Sequence, residues 1–198
     1  MAIELDITLT QGKTFELALM YASDERVYVP IAGVPSLAPV RLMLPGHGIP
    51  DGWPFDIACV NRPSELNGRD YVAKVIDDDT VEINSLLGDC WRPWAGGGIV
   101  VYLKPQDIAG WHARSVWRRS VNSTDSLLTF HSDPAEGADG LIIIDPADSS
   151  FTLQLDAVTA EALPVVSGVF DVEAIDPQGR VLPLTGISRF EVGPEVTK

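Results

Sequence analysis

Few side chains in this sequence are of the kinds that carry out chemistry, and where they gather their spacing argues for turns before reactions. His47 sits between Gly46 and Gly48. An imidazole acting as general base needs a nucleophile in reach and a carboxylate to orient it. No second part of such a motif lies near it, so the ring is read as a group that hydrogen-bonds backbone and pins its turn. Asp77, Asp78 and Asp79 offer the oxygen ligands that suit Ca²⁺, but the run lacks the spacing and distal glutamate of an EF-hand loop. It is read as a solvated hairpin turn, and so are Asp133, Glu136 and Asp139. His112 and His131 do not pair by sequence. Gly96–Gly98 precedes an apolar run instead of following a strand and opening a helix, which makes it hairpin flexibility and not a phosphate cradle. Trp91, Trp94, Trp111 and Trp117 could form a sugar-binding platform, or could fill cores and interfaces. Arg114, Arg118 and Arg119 are the one concentration of positive charge, read as a strand whose arginines pair with carboxylates. Cys59 and Cys90 lack zinc-ligand spacing; a disulfide between them stays open, and two buried thiols of a reduced protein is the reading taken. No catalytic residue, metal ligand or cofactor is assigned.

Composition narrows the function classes. The chain has 198 residues, 45% of them hydrophobic, enough to bury a sizeable core in one domain or two small ones. Its formal net charge of −14 repels phosphates and anionic lipid, so neither nucleic acid nor a membrane is an expected partner. No apolar run approaches the roughly 20 residues needed to cross a bilayer. The first residues have neither the charged region nor the apolar core of a signal peptide. A soluble protein made in the cytoplasm is expected.

The elements that must position these residues are strands. Frequent glycine and proline, and no helical heptads, favour strands and turns. The stretch Gly168–Leu184 reads as a β-hairpin: Phe170, Val172 and Ala174 alternate with Val169, Asp171, Glu173 and Ile175, and Asp176–Gly179 forms the turn. Ser188–Val192 is a further strand. At the other end, Ile3, Leu5, Ile7 and Leu9 alternate with polar residues in a half-buried strand. Phe15, Leu17 and Leu19 mark the inward side of the next. Ser23–Arg26 reads as a polar turn before a short strand, Val27–Ile31, giving an opening meander. Gly33–Pro39 has the proline spacing of a linker. Five short strands follow between Val40 and Lys104, enough for a small closed barrel or sandwich. Then come Trp111–Val121, Leu127–Phe130, Gly140–Ile144 (a continuous apolar run, read as buried on both faces) and Phe151–Leu155. Asp156–Leu163 is the one convincing helix, capped by Asp156, with Val158 and Leu163 facing the sheet. The expected fold is all-β: an immunoglobulin-like β-sandwich with one short helix, made from residues 1–34 and 105–198, carrying a small inserted β-domain at 35–104.

On this order of motifs the chain resembles a known family. Ile7–Leu17, Asp107–Arg118, Phe151–Pro164 and Gly168–Arg180 resemble the N-terminal domain of bacteriophage baseplate upper proteins. Pro45–Gly52, Glu65–Val72, Val75–Ile83 and Ala95–Gly98 resemble a small β-module of phage tail and fibre proteins. The insert departs from the simple family, which has a short loop there, and no fibre or coiled coil follows Lys198.

The resemblance implies a non-enzymatic virion protein of the phage tail, synthesised in the host cytoplasm. It would be an adaptor, present in multiple copies in a symmetric ring, that docks fibres or receptor-binding proteins to other tail and baseplate proteins. For the tryptophans it favours the core and interface reading. Ile3, Leu5, Ile7, Trp91, Trp94, Arg114 and Arg118, with the arm Met1–Ile7, are the candidate interface residues. The other reading is a carbohydrate-binding or depolymerising module that meets the host surface; a glycosidase needs two facing carboxylates, and this acidic chain has many.

Overall fold

Alternation of apolar and polar residues dictates strands, and strands are what nearly all of the chain forms. The computed structural model describes residues 3–83 and 86–195. Strands β1 (Asp6–Thr10) and β2 (Phe15–Met20) open the chain. Next come β3 (Ala22–Pro30), β4 (Gly33–Leu37), β5 (Val40–Met43), β6 (Pro54–Val60), β7 (Gly68–Asp77), β8 (Thr80–Ile83) and β9 (Gly97–Pro105). They are followed by β10 (His112–Arg118), β11 (Leu128–His131), β12 (Gly140–Asp145) and β13 (Ser150–Leu155). Helix α1 (Ala157–Ala162) precedes β14 (Val166–Ile175), β15 (Val181–Pro183) and β16 (Ser188–Gly193). The fold is all-β with one short α-helix. It divides into two compact units, Met1–Tyr21 with Asp107–Lys198, and Ala22–Gln106.

The first unit is built on one nine-stranded sheet in the order β1-β16-β14-β10-β11-β12-β13-β2, with β15 pairing β14. Its first and last strands are joined by the turn after Thr10, where Lys13 N–H donates to Thr10 C=O at 3.2 Å. The sheet thus rolls its apolar face around a single core, in the manner of a sandwich closed at one side. At the centre is Trp117. Its ring stacks on Phe170 at 4.5 Å and lies 4.7 Å from Phe190, 5.3 Å from Phe130 and 5.8 Å, edge-on, from Phe15. Those rings come from β14, β16, β11 and β2. The indole N–H, which would cost free energy if buried unpaired, donates to Ser115 Oγ at 3.0 Å, and that hydroxyl donates to Asp171 C=O. Two glycines let strands close up. A methyl on Gly168 would strike the Arg118 carbonyl and the Phe190 ring, and one on Gly140 the Phe130 ring.

Several expectations for this unit change. β1 and β2 do not pair with each other: β1 lies parallel to β16 and β2 antiparallel to β13. Their apolar faces are covered by later strands, which local pattern cannot show. β12 is buried on one face only, since Ile142 is buried while Ile143 is 42% exposed. Helix α1 is capped by Asp156, whose Oδ1 accepts from Thr159 N–H at 2.8 Å. It sets Ala160, not Val158, against the core, with Leu163 just past its end, while Val158 is 79% exposed. In so short a helix the side reached by the last turn decides what is covered.

The second unit holds a seven-stranded sheet in the order β3-β9-β6-β7-β8-β5-β4, around Trp53, Phe55, Leu42, Leu44, Ile83 and Val100. Its terminal strands β3 and β4 are again consecutive in the chain. The boundary expected near residue 35 therefore moves to residue 22. β3 pairs β9 and β4 pairs β5, so the expected turn at Ser23–Arg26 is a bulge in one long strand and the expected linker is a strand. On β8 the buried Glu82 carboxylate is held by Arg41 Nε at 2.7 Å and Lys74 Nζ at 3.1 Å. The hydrogen bonds from Arg41 and then Lys74 hold its carboxyl below the usual glutamate range.

Two tests follow from these cores. Trp117→Ala is expected to cost roughly 3–5 kcal/mol of stability, the range for emptying a large buried aromatic site. Urea unfolding followed by circular dichroism would check it, and an unchanged midpoint would refute the packing account. Glu82 ionises more readily in the folded chain than in the unfolded one, so its contribution is complete above the unfolded pKa and is lost as pH falls through the folded one. Urea midpoints measured over an acidic pH series should therefore fall less steeply for Glu82→Gln than for the wild type.

Candidate functional site

Polar groups that look chemical from sequence are mostly committed to holding turns. His47 is 3% exposed; its Nε2–H donates to Asp77 C=O at 3.0 Å and its Nδ1 accepts from Ile49 N–H at 2.9 Å. Asp79 Oδ1 accepts from Gly46 N–H at 2.8 Å, and Asp77 Oδ1 from Asp79 N–H at 3.0 Å. The latter bond leads the causes that lower the Asp77 pKa. In the loop after β11, Asp133 accepts from Ala135 N–H, and Asp139 from both the N–H and the hydroxyl of Thr129. Among the described residues no group of three or more His, Cys, Asp or Glu side chains is placed to hold a metal ion.

The cysteines are corrected outright: Cys59 and Cys90 are free and both exposed. At Cys59 the strand alternation breaks. Ala58 and Cys59 both face out between the buried Ile57 and Val60, and Cys59 has a φ of 62°.

The candidate interface residues fall in three places. Ile3 is 67% exposed and makes one parallel bridge to Thr185. Leu5 and Ile7 pack against the core of the first unit, so their apolar surface is largely spent there. The rest of the proposed arm, Met1 and Ala2, lies outside the described residues. Trp91 and Trp94 are half-buried against the core of the second unit, and Trp94 Nε1–H donates to Gly97 C=O at 3.1 Å. Trp111 packs by Tyr21 at 5.7 Å and Trp117 is the core centre described above, so these two rings offer no flat platform to a sugar.

Arg114 and Arg118 do come together, on the outward face of β10. Register with β14 sets Arg114 opposite Glu173, Val116 opposite Asp171 and Arg118 opposite Val169. Arg114 is occupied: its Nε and Nη2 both donate to Glu173 Oε2, at 3.0 and 2.8 Å. Arg118 donates from Nη1 to Ser123 C=O at 3.1 Å, while its Nε is buried and has no hydrogen-bond partner among the described residues. Val121 and Ile187 rise at the sides, 62% and 57% exposed. The result is a cleft of about 380 Å³ lined by these groups with Ser120 and Phe170.

Asp171 is the residue that the sequence reading did not select. Alternation in Gly168–Ile175 already turned Asp171 and Glu173 outward, but nothing local could show that a valine would stand across from Asp171. Cross-strand partners sit about 5 Å apart. The carboxylate is thus set among Val116, Val169 and Ile187, with Glu173 two residues along the strand. Burial, and next the Glu173 charge, push its pKa up, against the pull of Arg118 and Arg114. No other described residue donates a hydrogen bond to it.

With this geometry established, comparison with models of known protein families finds none that matches the chain, and no curated protein matches it.

An acid whose pKa is higher folded than unfolded makes folding less favourable once it ionises, so its penalty is absent below the unfolded pKa and complete above the folded one. Asp171→Asn should therefore raise the urea midpoint at neutral pH, with the gain disappearing as pH falls below the ordinary aspartate range. A variant less stable than wild type at pH 7 would contradict the assignment.

Proposed function

We propose that this chain is a structural protein of a bacteriophage virion, an adaptor of the tail or baseplate, and not an enzyme. Its task is to dock fibres or receptor-binding proteins onto other tail proteins, in several copies arranged as a ring. What supports this reading most is where the motifs resembling baseplate upper proteins fall. Ile7–Leu17 spans β1 and β2, Asp107–Arg118 leads through β10, Phe151–Pro164 covers β13 and α1, and Gly168–Arg180 covers β14 and its turn. All four lie in the first unit, although residues 22–106 separate the first from the rest. The segments resembling the tail and fibre module, by contrast, lie in the second. A second support is the character of the surface. Carboxylates and imidazoles are used to hold turns, while one face carries arginines, carboxylates and exposed aliphatics of the sort protein interfaces use. The alternative of a carbohydrate-binding module draws nothing from the tryptophans, which are buried or half-buried on their cores.

The reading has a direct test. The purified protein should sediment alone as a monomer and co-sediment with tail particles of the phage that encodes it, at a fixed stoichiometry per tail. Absence from those particles, or loss of polysaccharide viscosity on adding the protein to host capsule, would overturn it.

A further inference from the structure

We infer that the cleft between β10 and β14 is a docking site for an extended peptide segment of a partner protein, one that offers a main-chain amide to Arg118 and Asp171 and aliphatic side chains to Val121 and Ile187. This rests on the protein-docking part of the function proposed above and names where docking occurs and by what chemistry. Four observations on one face carry it. The Arg118 guanidinium has a single partner, Ser123 C=O, leaving donors uncommitted. The Asp171 carboxylate receives no hydrogen bond from another described residue, although it stands among valines. Val121 and Ile187 flank the two, each more than half exposed. The neighbouring pair of Arg114 and Glu173 is closed on itself and neither adds a free charge nor competes.

The occupant follows from complementarity. A free donor beside a free acceptor matches a group that has both, and the peptide unit is such a group: its C=O accepts from Arg118 and its N–H donates to Asp171. A simple anion would be drawn by Arg118 but repelled by Asp171, and a simple cation the reverse. A sugar ring would want an exposed aromatic plane, and the lining supplies none, because the Phe170 ring is turned into the core against Trp117. Val121 and Ile187 then select for aliphatic side chains flanking that amide, as in the pockets by which extended peptides are usually distinguished.

A displayed library of random dodecapeptides, selected on the immobilised full-length protein, tests this. Enriched peptides should share aliphatic residues around a segment without a required charge. In fluorescence anisotropy with the best of them, Arg118→Lys and Ile187→Ser should each weaken binding about tenfold, the loss expected when a hydrogen-bonded or apolar anchor is removed. Asp171→Leu, which keeps the bulk and removes the acceptor, should weaken it as much. Near-ultraviolet circular dichroism and thermal melting show whether each variant keeps the wild-type fold, and Arg62→Lys in the second unit serves as a control that should bind normally. The proposal is overturned by any of three results: no enrichment, peptides whose binding survives all three cleft variants, or acidic peptides that tolerate Asp171→Leu. A concentration-dependent dimer abolished by Ile187→Ser would likewise overturn it, in favour of a second copy as occupant. The adaptor reading is judged separately, because co-sedimentation with tails is scored on the same variants. Tail binding that persists while the cleft fails removes only this inference, and peptide binding without tail binding removes only the adaptor.

Discussion

The first unit depends on one buried ring. Trp117 can be buried only if its indole N–H finds an acceptor and its faces find partners, and both needs are met by residues far away in the chain. Phe15 comes from the opening strands, Phe130 from β11, Phe170 and Phe190 from the last two long strands, and the acceptor Ser115 sits on the same face of the same strand. Stacked and edge-on aromatic contacts add to the free energy of burying the rings themselves. Closing this cluster obliges the first twenty residues to join the last ninety, whatever lies between. It also fixes the register of β10 on β14, since Ser115 passes its own hydroxyl proton to the Asp171 carbonyl. That register is what places Asp171 opposite Val116 on the other side of the sheet. The cleft outside is a consequence of the packing inside.

Insertion of a whole unit into this scheme is cheap for a reason visible in the second unit. Its first and last paired residues, Ala22 and Pro105, face each other across the ladder of β3 and β9. A segment whose two ends already lie side by side asks its host to hold them no farther apart than a short loop would, so the entropy of closure is not added to the host's burden.

Much of this was legible from local pattern, and the misses share a cause. Phe170, Val172 and Ala174 announce their strand because one face is buried and the other wet, and Asp176 announces its turn. The carboxylate of Asp176 accepts from Gln178 N–H, Arg180 N–H and Arg180 Nε, a role a short carboxylate after a strand and before Pro177 is suited to. Period and turn chemistry are local, so sequence carries them. Pairing is not. Ser23–Arg26 has the polarity of a turn, but a bulge accommodates it inside β3, and the decision is made by β9, some seventy residues later. Ile143 and Val158 look like core because they are apolar, and their exposure follows from which side their neighbours cover. Cys59 lies where a left-handed backbone turn breaks the alternation, and nothing about a cysteine between Ala58 and Val60 gives that away.

The candidate site shows the same division more sharply. Arg114 and Arg118 could be picked out, because two arginines four apart on a strand must share a face. Their fates could not be. Whether an arginine is spent depends on the residue across the ladder, and here a shift of two residues in register would exchange them: Glu173 would fall opposite Val116 or His112, and Arg114 would face a valine or an aspartate. A charged pair closed on itself contributes little and binds nothing. A charge left beside a displaced carboxylate, with exposed aliphatics around both, is an arrangement that stability alone does not favour, since unpaired polar groups at partly buried positions cost free energy. Protein surfaces retain such arrangements where a partner supplies the missing hydrogen bonds, and that is the physical reason for looking to this face, and not to the acidic turns, for what the molecule does.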